Sequence, residues 1–318
     1  MRRRIVISWS TSDIAGIHLG DSHITASRVT RNGDAIPVIT HAGWAPYDAS
    51  APEKDIAGIL RTLWRSARMP TKMVCASLRS PAMVMRYFKM PVMSATEMRS
   101  ALILQAEEAL QLTRDKVSVD WCIQERPRGK AEAPSLVKEG VLAAAPIKDV
   151  ERQLEILSLA GLDPVIVDVR AMAVANLFLL LDERIGESSV CLVNMAPHSA
   201  DVIVMRRLGG IYPYTVFCRA STWEQSPTFL AENIRDVLKY SEFKLDWDSV
   251  KRVLLTGEVP ESKVFIEQLK TDLNVTVEVW NPLDVMTIKD QRVKDKVSES
   301  AAAASLLVPS LGLALRRS

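Results

Sequence analysis

The sequence predicts an α/β protein built from a duplicated domain, two domains around a cleft, with a small α+β insert. Two observations carry this prediction. An apolar run from Ile14 meets a turn at Gly20-Asp21-Ser22 and leaves it as a second alternating run to Thr30, and a stretch of the same shape opens again at Ser189. Each copy continues into a third strand and then into helices, so the repeat is a whole domain and not a short unit. Paired domains leave a cleft, and clefts are where ligands usually sit.

In chain order, Ile14–Leu19, His23–Thr30 and Ala35–His41 read as the first meander, with Asn32-Gly33 supplying the positive φ angles of a tight hairpin. Glu53–Arg68 puts Ile56, Ile59, Leu60, Leu63 and Trp64 on one helical face, and Pro70 ends it. Met73–Leu78 and Met83–Met90 read as strands. Ser94-Ala95-Thr96-Glu97 is a capping box for a helix running to Leu112. Val117–Gln124 alternates as a strand, Glu125–Pro134 is a charged loop, Leu136–Ala145 is a strand, and Ile147–Leu159 is a helix ended by Gly161. Pro164–Val169 and the apolar Arg170–Glu183 follow as strand and buried helix. The second meander takes Ser189–Asn194, Asp201–Arg207 and Ile211–Cys218, with Gly209-Gly210 at its hairpin. Pro227–Phe243 is a long helix and Val250–Thr256 a strand. Pro260–Leu273 reads as a helix with proline in its first turn, Val275–Val279 as a strand, Lys289–Lys296 as a mobile charged loop, and Ser298–Leu315 as the closing helix. The expected boundaries are 1–80 for the first domain's opening part, 81–160 for the insert, 161–187 and 298–318 for helices completing the first domain, and 188–297 for the second domain.

Composition narrows the function classes. The 318 residues are 48% hydrophobic, and 40 basic against 38 acidic residues leave a net charge of +2, without the concentrated basic excess of an electrostatic nucleic-acid binder. Cys75, Cys122, Cys191 and Cys218 stand far apart inside apolar runs and read as reduced, buried core cysteines. Nothing reaches the roughly 20 apolar residues of a membrane span. The opening MRRRIVISWS has too short an apolar part for a signal peptide, so an intracellular, uncleaved chain is expected, with Arg2–Arg4 as a solvated terminus.

Several fragments, in order, carry a family resemblance: Gly16-Ile17-His18-Leu19-Gly20, Gln105-Ala106-Glu107-Glu108, Asp115-Lys116-Val117, Asp120-Trp121, Ala143-Ala144-Ala145-Pro146, Ala160-Gly161-Leu162, Val167-Asp168-Val169, Leu254-Leu255-Thr256-Gly257 and Leu311-Gly312-Leu313-Ala314. On these the chain resembles the PilM family of type IV pilus assembly proteins, a relative of FtsA in the actin-like (ribonuclease H-like) ATPase superfamily. The resemblance implies an ATP cleft in which backbone N–H groups of both hairpin turns meet phosphate, aspartates of the turns hold Mg²⁺ or its waters, and a Gly-Gly pair after Val250–Thr256 makes room for adenosine.

The sequence departs from that pattern in all three motifs. His18 stands at the first aspartate position. Gly20 is kept, but Asp21, next to Ser22, replaces a hydroxyl that would donate to phosphate. Asn194 stands at the second aspartate position, Ala196 replaces glycine, and Pro197 adds stiffness and no donor, while Asp201 is retained. At the adenosine turn Gly257 survives beside Glu258. Gly20, Asp21, Ser22, Asn194, Ala196, Asp201, Gly257 and Glu258 therefore outline a degenerate nucleotide cleft. No catalytic residue, metal or resident cofactor is expected; ATP and Mg²⁺ are the candidates, bound weakly and not hydrolysed.

His18 and His198 facing one cleft would be two of the three or more ligands a metal needs, so a decayed pocket is the better reading. Asp168 reads as a helix cap ahead of Arg170 rather than a base, and Glu107 and Glu108 as a solvated helix face. Met69, Met73, Met83, Met85, Met90, Met93 and Met98 crowd the insert, mostly as core filling. The edge strand at Met83, Val84, Met85, Arg86 and Tyr87 is the partner-binding candidate, because an extended peptide can add to an exposed edge. In PilM-like proteins the N-terminal peptide of a membrane partner, PilN, docks between the first domain and this insert. The resemblance thus implies a cytoplasmic scaffold, peripheral at the inner membrane through its PilN-like partner, with pilus motor ATPases as further partners and no nucleic acid. An ATP-driven switch is the alternative, and a small-molecule kinase a weaker one.

Overall fold

The computed structural model describes residues 14–31, 35–124, 137–182, 188–206, 209–218, 220, 222–260, 262–298 and 301–316. The Asn32-Gly33 turn, the Arg2–Arg4 cluster and the Glu125–Pro134 loop lie outside them.

The first meander is β1 (Ala15–Leu19), β2 (His23–Thr30) and β3 (Val38–Pro46), followed by α1 (Glu53–Ser66) and β4 (Met73–Ser77). The insert is β5 (Val84–Pro91), α2 (Ala95–Leu110), β6 (Val117–Gln124), β7 (Val137–Pro146) and α3 (Ile147–Leu159). Then come β8 (Asp163–Asp168) and α4 (Arg170–Leu181). The second meander is β9 (Val190–Met195), β10 (Ser199–Met205) and β11 (Ile211–Phe217), followed by α5 (Pro227–Phe243), β12 (Arg252–Gly257), α6 (Lys263–Leu273) and β13 (Thr276–Val279). The chain continues through β14 (Thr287–Ile288), α7 (Gln291–Ser298), α8 (Ala301–Leu306) and α9 (Val308–Ala314).

Among the described residues the strands form three sheets, ordered β14-β3-β2-β1-β4-β8, β11-β10-β9-β12-β13 and β5-β7-β6. The duplication is visible in the first two. In each, the meander pairs antiparallel, and its first strand takes a parallel neighbour that in turn takes another: β1 to β4 to β8, and β9 to β12 to β13.

Contacts divide the chain into two compact units. One contains the first meander to Ser77, Ile156–Leu177 and the chain from Pro282; the other contains Leu78–Glu155 and Phe178–Asn281. The insert is thus grouped with the second meander. The 282–297 stretch, expected in the second domain, joins the first unit, because β14 pairs with Val38 and Ile39.

In the first unit α1 buries Ile56, Ala57, Leu60 and Leu63, and the end of α3 adds Ile156 and Leu157 to the same core. α9 crosses the sheet where side chains would not fit. A Cβ on Gly16 would stand 2.0 Å from the Ser310 carbonyl oxygen, and one on Gly312 would stand 2.1 Å from that of Ala173. Close approach lets the buried hydroxyls of Ser27 and Ser310 meet at 2.7 Å. In the second unit one core of Cys191, Val193, Val202, Leu230, Ile234, Leu255 and their neighbours joins the sheet to α5 and α6. The insert has its own core, with Phe88 and Met90 of β5 packed on Met98, Leu102 and Ala106 of α2. The capping box forms as expected, with Ser94 Oγ accepting from Glu97 N and Glu97 accepting from Ser94 N.

Five local expectations are corrected. The third strand runs Val38–Pro46 rather than Ala35–His41: Gly43 interrupts its alternation, yet it pairs with Ala26 of β2. The charged stretch 289–296 is not a loop throughout. Asp290 accepts the Arg292 N–H, starting α7, which buries Val293. Ser262, not Pro260, starts α6, accepting from Phe265 N. The closing helix is two helices, α8 and α9. Of the four cysteines expected to be buried, Cys75 and Cys191 are, Cys218 is half-buried, and Cys122 is exposed, because its side of β6 is not covered by α2. No helix of the described residues is long and apolar enough to cross a membrane.

Candidate functional site

The β1–β2 turn is held by hydrogen bonds that leave little slack. Gly20 N–H donates to His23 O at 2.9 Å, and Tyr47, the residue after β3, donates its backbone N–H to Ser22 O at 2.9 Å and its hydroxyl to Gly20 O at 2.6 Å. Below the turn, pairing aligns Thr25, His18, Ser77 and Asp168 across β2, β1, β4 and β8. His18 Nδ1 lies 2.7 Å from the buried Ser77 hydroxyl. Asp168, at the far end of this row, accepts from the Val169 N–H at 2.7 Å and pairs with Arg316 Nε at 3.1 Å. Burial beside that carboxylate pushes the Cys75 thiol up to about 12.

The β9–β10 turn repeats this clasp bond for bond. Ala196 N–H donates to Ser199 O at 2.8 Å, Cys218, the residue after β11, donates its N–H to His198 O at 2.9 Å, and Trp223 Nε1 donates to Ala196 O at 2.7 Å. Indole thus does in the second copy what phenol does in the first. The polar row recurs as well. Thr215, Asp201, Asn194 and Thr256 lie side by side across β11, β10, β9 and β12. Thr215 donates to Asp201 Oδ1 at 3.0 Å, and Asn194 Nδ2 stands 3.4 Å from Asp201 Oδ2. Asn194 and Asp201 are 1% and 2% exposed, and Asn194 Oδ1 and Thr256 Oγ1 are buried without a hydrogen-bond partner.

The turn after β12 closes against this row. Gly257 sits at φ +78°, and a Cβ there would meet Met195 O at 2.3 Å and Asn194 Oδ1 at 2.7 Å. A left-handed residue with no room for a side chain must be glycine. Glu258 N–H donates to Met195 O at 2.8 Å, so the turn's first amide is bound to β9.

Of the candidate residues, the structure gathers Asn194, Ala196, Asp201, Gly257 and Glu258 at one end of the second sheet, and Gly20, Asp21 and Ser22 at the corresponding end of the first. Among the described residues no group of three His, Cys, Asp or Glu side chains could hold a metal ion.

The partner candidate lies elsewhere in the second unit. Among the described residues β5 is the outer strand of its sheet, paired with β7. Val84 and Met85 are half-buried and Arg86 is exposed, while Met83 belongs to the preceding turn, its N–H on Ser80 O. Tyr87, expected on the partner-facing edge, instead turns its ring into an aromatic cluster. It meets Tyr212 edge-on at 6.2 Å and Trp247 edge-on at 5.8 Å, and Tyr212 stacks on Tyr240 at 5.2 Å. Burial, with Tyr240 and Tyr214 close by, pushes the Tyr212 phenol up to about 12.

Sequence reasoning missed Tyr47, Trp223 and the cluster around Tyr87. The signal for Tyr47 was present: an aromatic directly after the third strand, where the chain must be tied back to its own turn. Trp223 follows the second meander at a different interval, so no fixed spacing pointed to it.

The model of the type IV pilus assembly protein PilM family matches residues 39–215. Among solved structures, a PilM-PilN type IV pilus biogenesis complex is 19% identical with a TM-score of 0.78, covering 96% of this chain and 99% of that one. The ethanolamine utilization protein EutJ of Carboxydothermus hydrogenoformans is 12% identical with a TM-score of 0.51, covering 95% and 88%. A Bacteroides thetaiotaomicron protein with an actin-like ATPase fold and unknown function is 14% identical with a TM-score of 0.49, covering 87% and 94%. No curated protein matches. The duplicated architecture is the actin-like fold. With over half of its length matched by that family model, the chain belongs to the PilM family of type IV pilus assembly proteins.

Proposed function

We propose that the protein is an adaptor of a type IV pilus assembly machine, working at the cytoplasmic side of the inner membrane, and that it captures the N-terminal cytoplasmic peptide of a PilN-like membrane protein. The family match carries this reading, since its span, residues 39–215, runs through the insert. The complex of PilM with PilN supports the choice of partner. The open part of β5, Val84–Arg86, supports strand addition, because an outer strand offers backbone groups and the alternating side chains add selectivity. Titration of the purified chain with a synthetic N-terminal peptide of the partner tests the reading. Micromolar binding is expected, weakened about tenfold or more by Met85→Asp, which puts a charge into the apolar part of the site. No binding at high micromolar peptide overturns it.

Each turn, taken by itself, is poorly suited to holding the phosphates of Mg²⁺–ATP. Pro197 contributes no N–H, the Gly20 and Ala196 amides are bonded within their own turns, and Asp21 and Glu258 are carboxylates at positions where the family resemblance implies phosphate and adenosine contacts. We read both turns as degenerate and draw no reaction from them. One observation favours the second reading, an ATP-binding switch: Asn194 Oδ1 and Thr256 Oγ1 are buried without partners next to Asp201, and such atoms normally have a ligand or water. Calorimetric titration with Mg²⁺–ATP separates the two. No heat at high micromolar nucleotide is expected; micromolar affinity makes the switch the correct reading.

A further inference from the structure

We propose that β11 is a strut that makes the insert sheet and the second sheet one cooperative body, so that load on the insert is felt at the β9–β10 turn. The proposal rests on neither the partner nor the nucleotide reading. β11 is tied at both ends. At its start, the Gln124 side chain at the end of β6 makes two hydrogen bonds with the Ile211 backbone, Nε2 to O at 2.9 Å and N to Oε1 at 2.8 Å, in the manner of an added strand residue. One residue on, Tyr212 meets Tyr87 of β5, and Tyr87 meets Trp247, which also carries the Arg206 guanidinium on its ring at 5.0 Å. At its other end, Thr215 holds Asp201, and the Cys218 N–H holds His198 O in the β9–β10 turn. Between these attachments lie the seven residues of β11, roughly 23 Å of extended chain at the usual rise.

A strand hydrogen-bonded to β10 along its length cannot shift at one end alone. Tyr87 packs against the second sheet's hydrophobic core although it belongs to the insert. The joint therefore has a polar clasp with fixed register and an apolar contact with buried area, and opening it exposes both. A peptide held along β5 would sit on the same strand that carries Tyr87, with the β9–β10 turn at the far end of the strut.

Native-state hydrogen exchange on the full chain, resolved by mass spectrometry, tests this without a ligand. Leu102→Ala loosens the insert core around a fully buried leucine. Its expected effect is a fall in protection of about tenfold or more in β5, β6 and β7, a comparable fall in β10 and β11, and no change in β1 and β2. In the Gln124→Ala, Tyr87→Leu background the same substitution should lower protection in the insert alone. Should Leu102→Ala prevent folding, Leu102→Val gives the same pattern at smaller amplitude. The proposal is overturned if loss of protection in the otherwise unaltered chain stays within the insert, or spreads equally to β1 and β2.

Discussion

Replacing Trp223 by phenylalanine removes one donor from one turn. Its counterpart in the first copy, Tyr47→Phe, does the same, so the pair measures what each clasp contributes. Trp223 is 3% exposed and its Nε1 donates to Ala196 O at 2.7 Å. Without it, a carbonyl in the interior is left without this partner, at a cost of about 1–3 kcal/mol. The smaller ring leaves space in a packed core, adding about 1 kcal/mol. The sum is about 2–4 kcal/mol. Tyr47 is only part-buried, so water replaces its hydroxyl on Gly20 O and the loss is about 0.5–1.5 kcal/mol. Urea unfolding followed by circular dichroism reads both, with unchanged m-values as the control. A Trp223→Phe loss below about 1 kcal/mol, or a Tyr47→Phe loss as large as that of Trp223→Phe, would refute the reasoning that burial decides the cost.

Gly257→Ala should destabilise the chain by about 3 kcal/mol or more, combining a left-handed backbone with a methyl group 2.3 Å from Met195 O; an unshifted urea midpoint would contradict this. His41, its pKa held below the ordinary 6.5 by burial and by Arg28, has stability to lose on acidification. Its contribution is complete above 6.5 and declines as pH falls through the lowered folded value, so His41→Asn should flatten the stability–pH curve there. Iodoacetamide should label Cys122 in the native chain and reach Cys75 and Cys191 only after unfolding, as mass spectrometry of the peptides would show.

The repeat was readable in the sequence because alternation and turn residues are local properties. Ile14–Thr30 and its echo at Ser189 carry them openly, and the structure turns them into equivalent clasps. The helical face of α1 and the capping box of α2 were readable for the same reason. What escaped depends on distant partners. Gly43 weakens the pattern of β3, but its pairing with β2 holds it in the sheet. α7 looks like a solvated charged loop because only Val293 is buried, and its start is fixed by Asp290 folding back on Arg292. Tyr87 reads as one more residue of an exposed edge until Tyr212 and Trp247, far along the chain, are placed beside it. The candidate nucleotide residues come from the motif positions that the family resemblance implies, whereas the satisfaction of Asp201 by Thr215 depends on which strands pair.

The central claim is that the outer strand of the insert receives the partner. Hydrogen exchange of the chain with and without the synthetic N-terminal peptide of the proposed PilN-like partner tests it most directly. The account predicts new protection within Met83–Lys89 on saturation, with little change in α1 or α6. Saturable binding that protects other segments and leaves β5 untouched would contradict it.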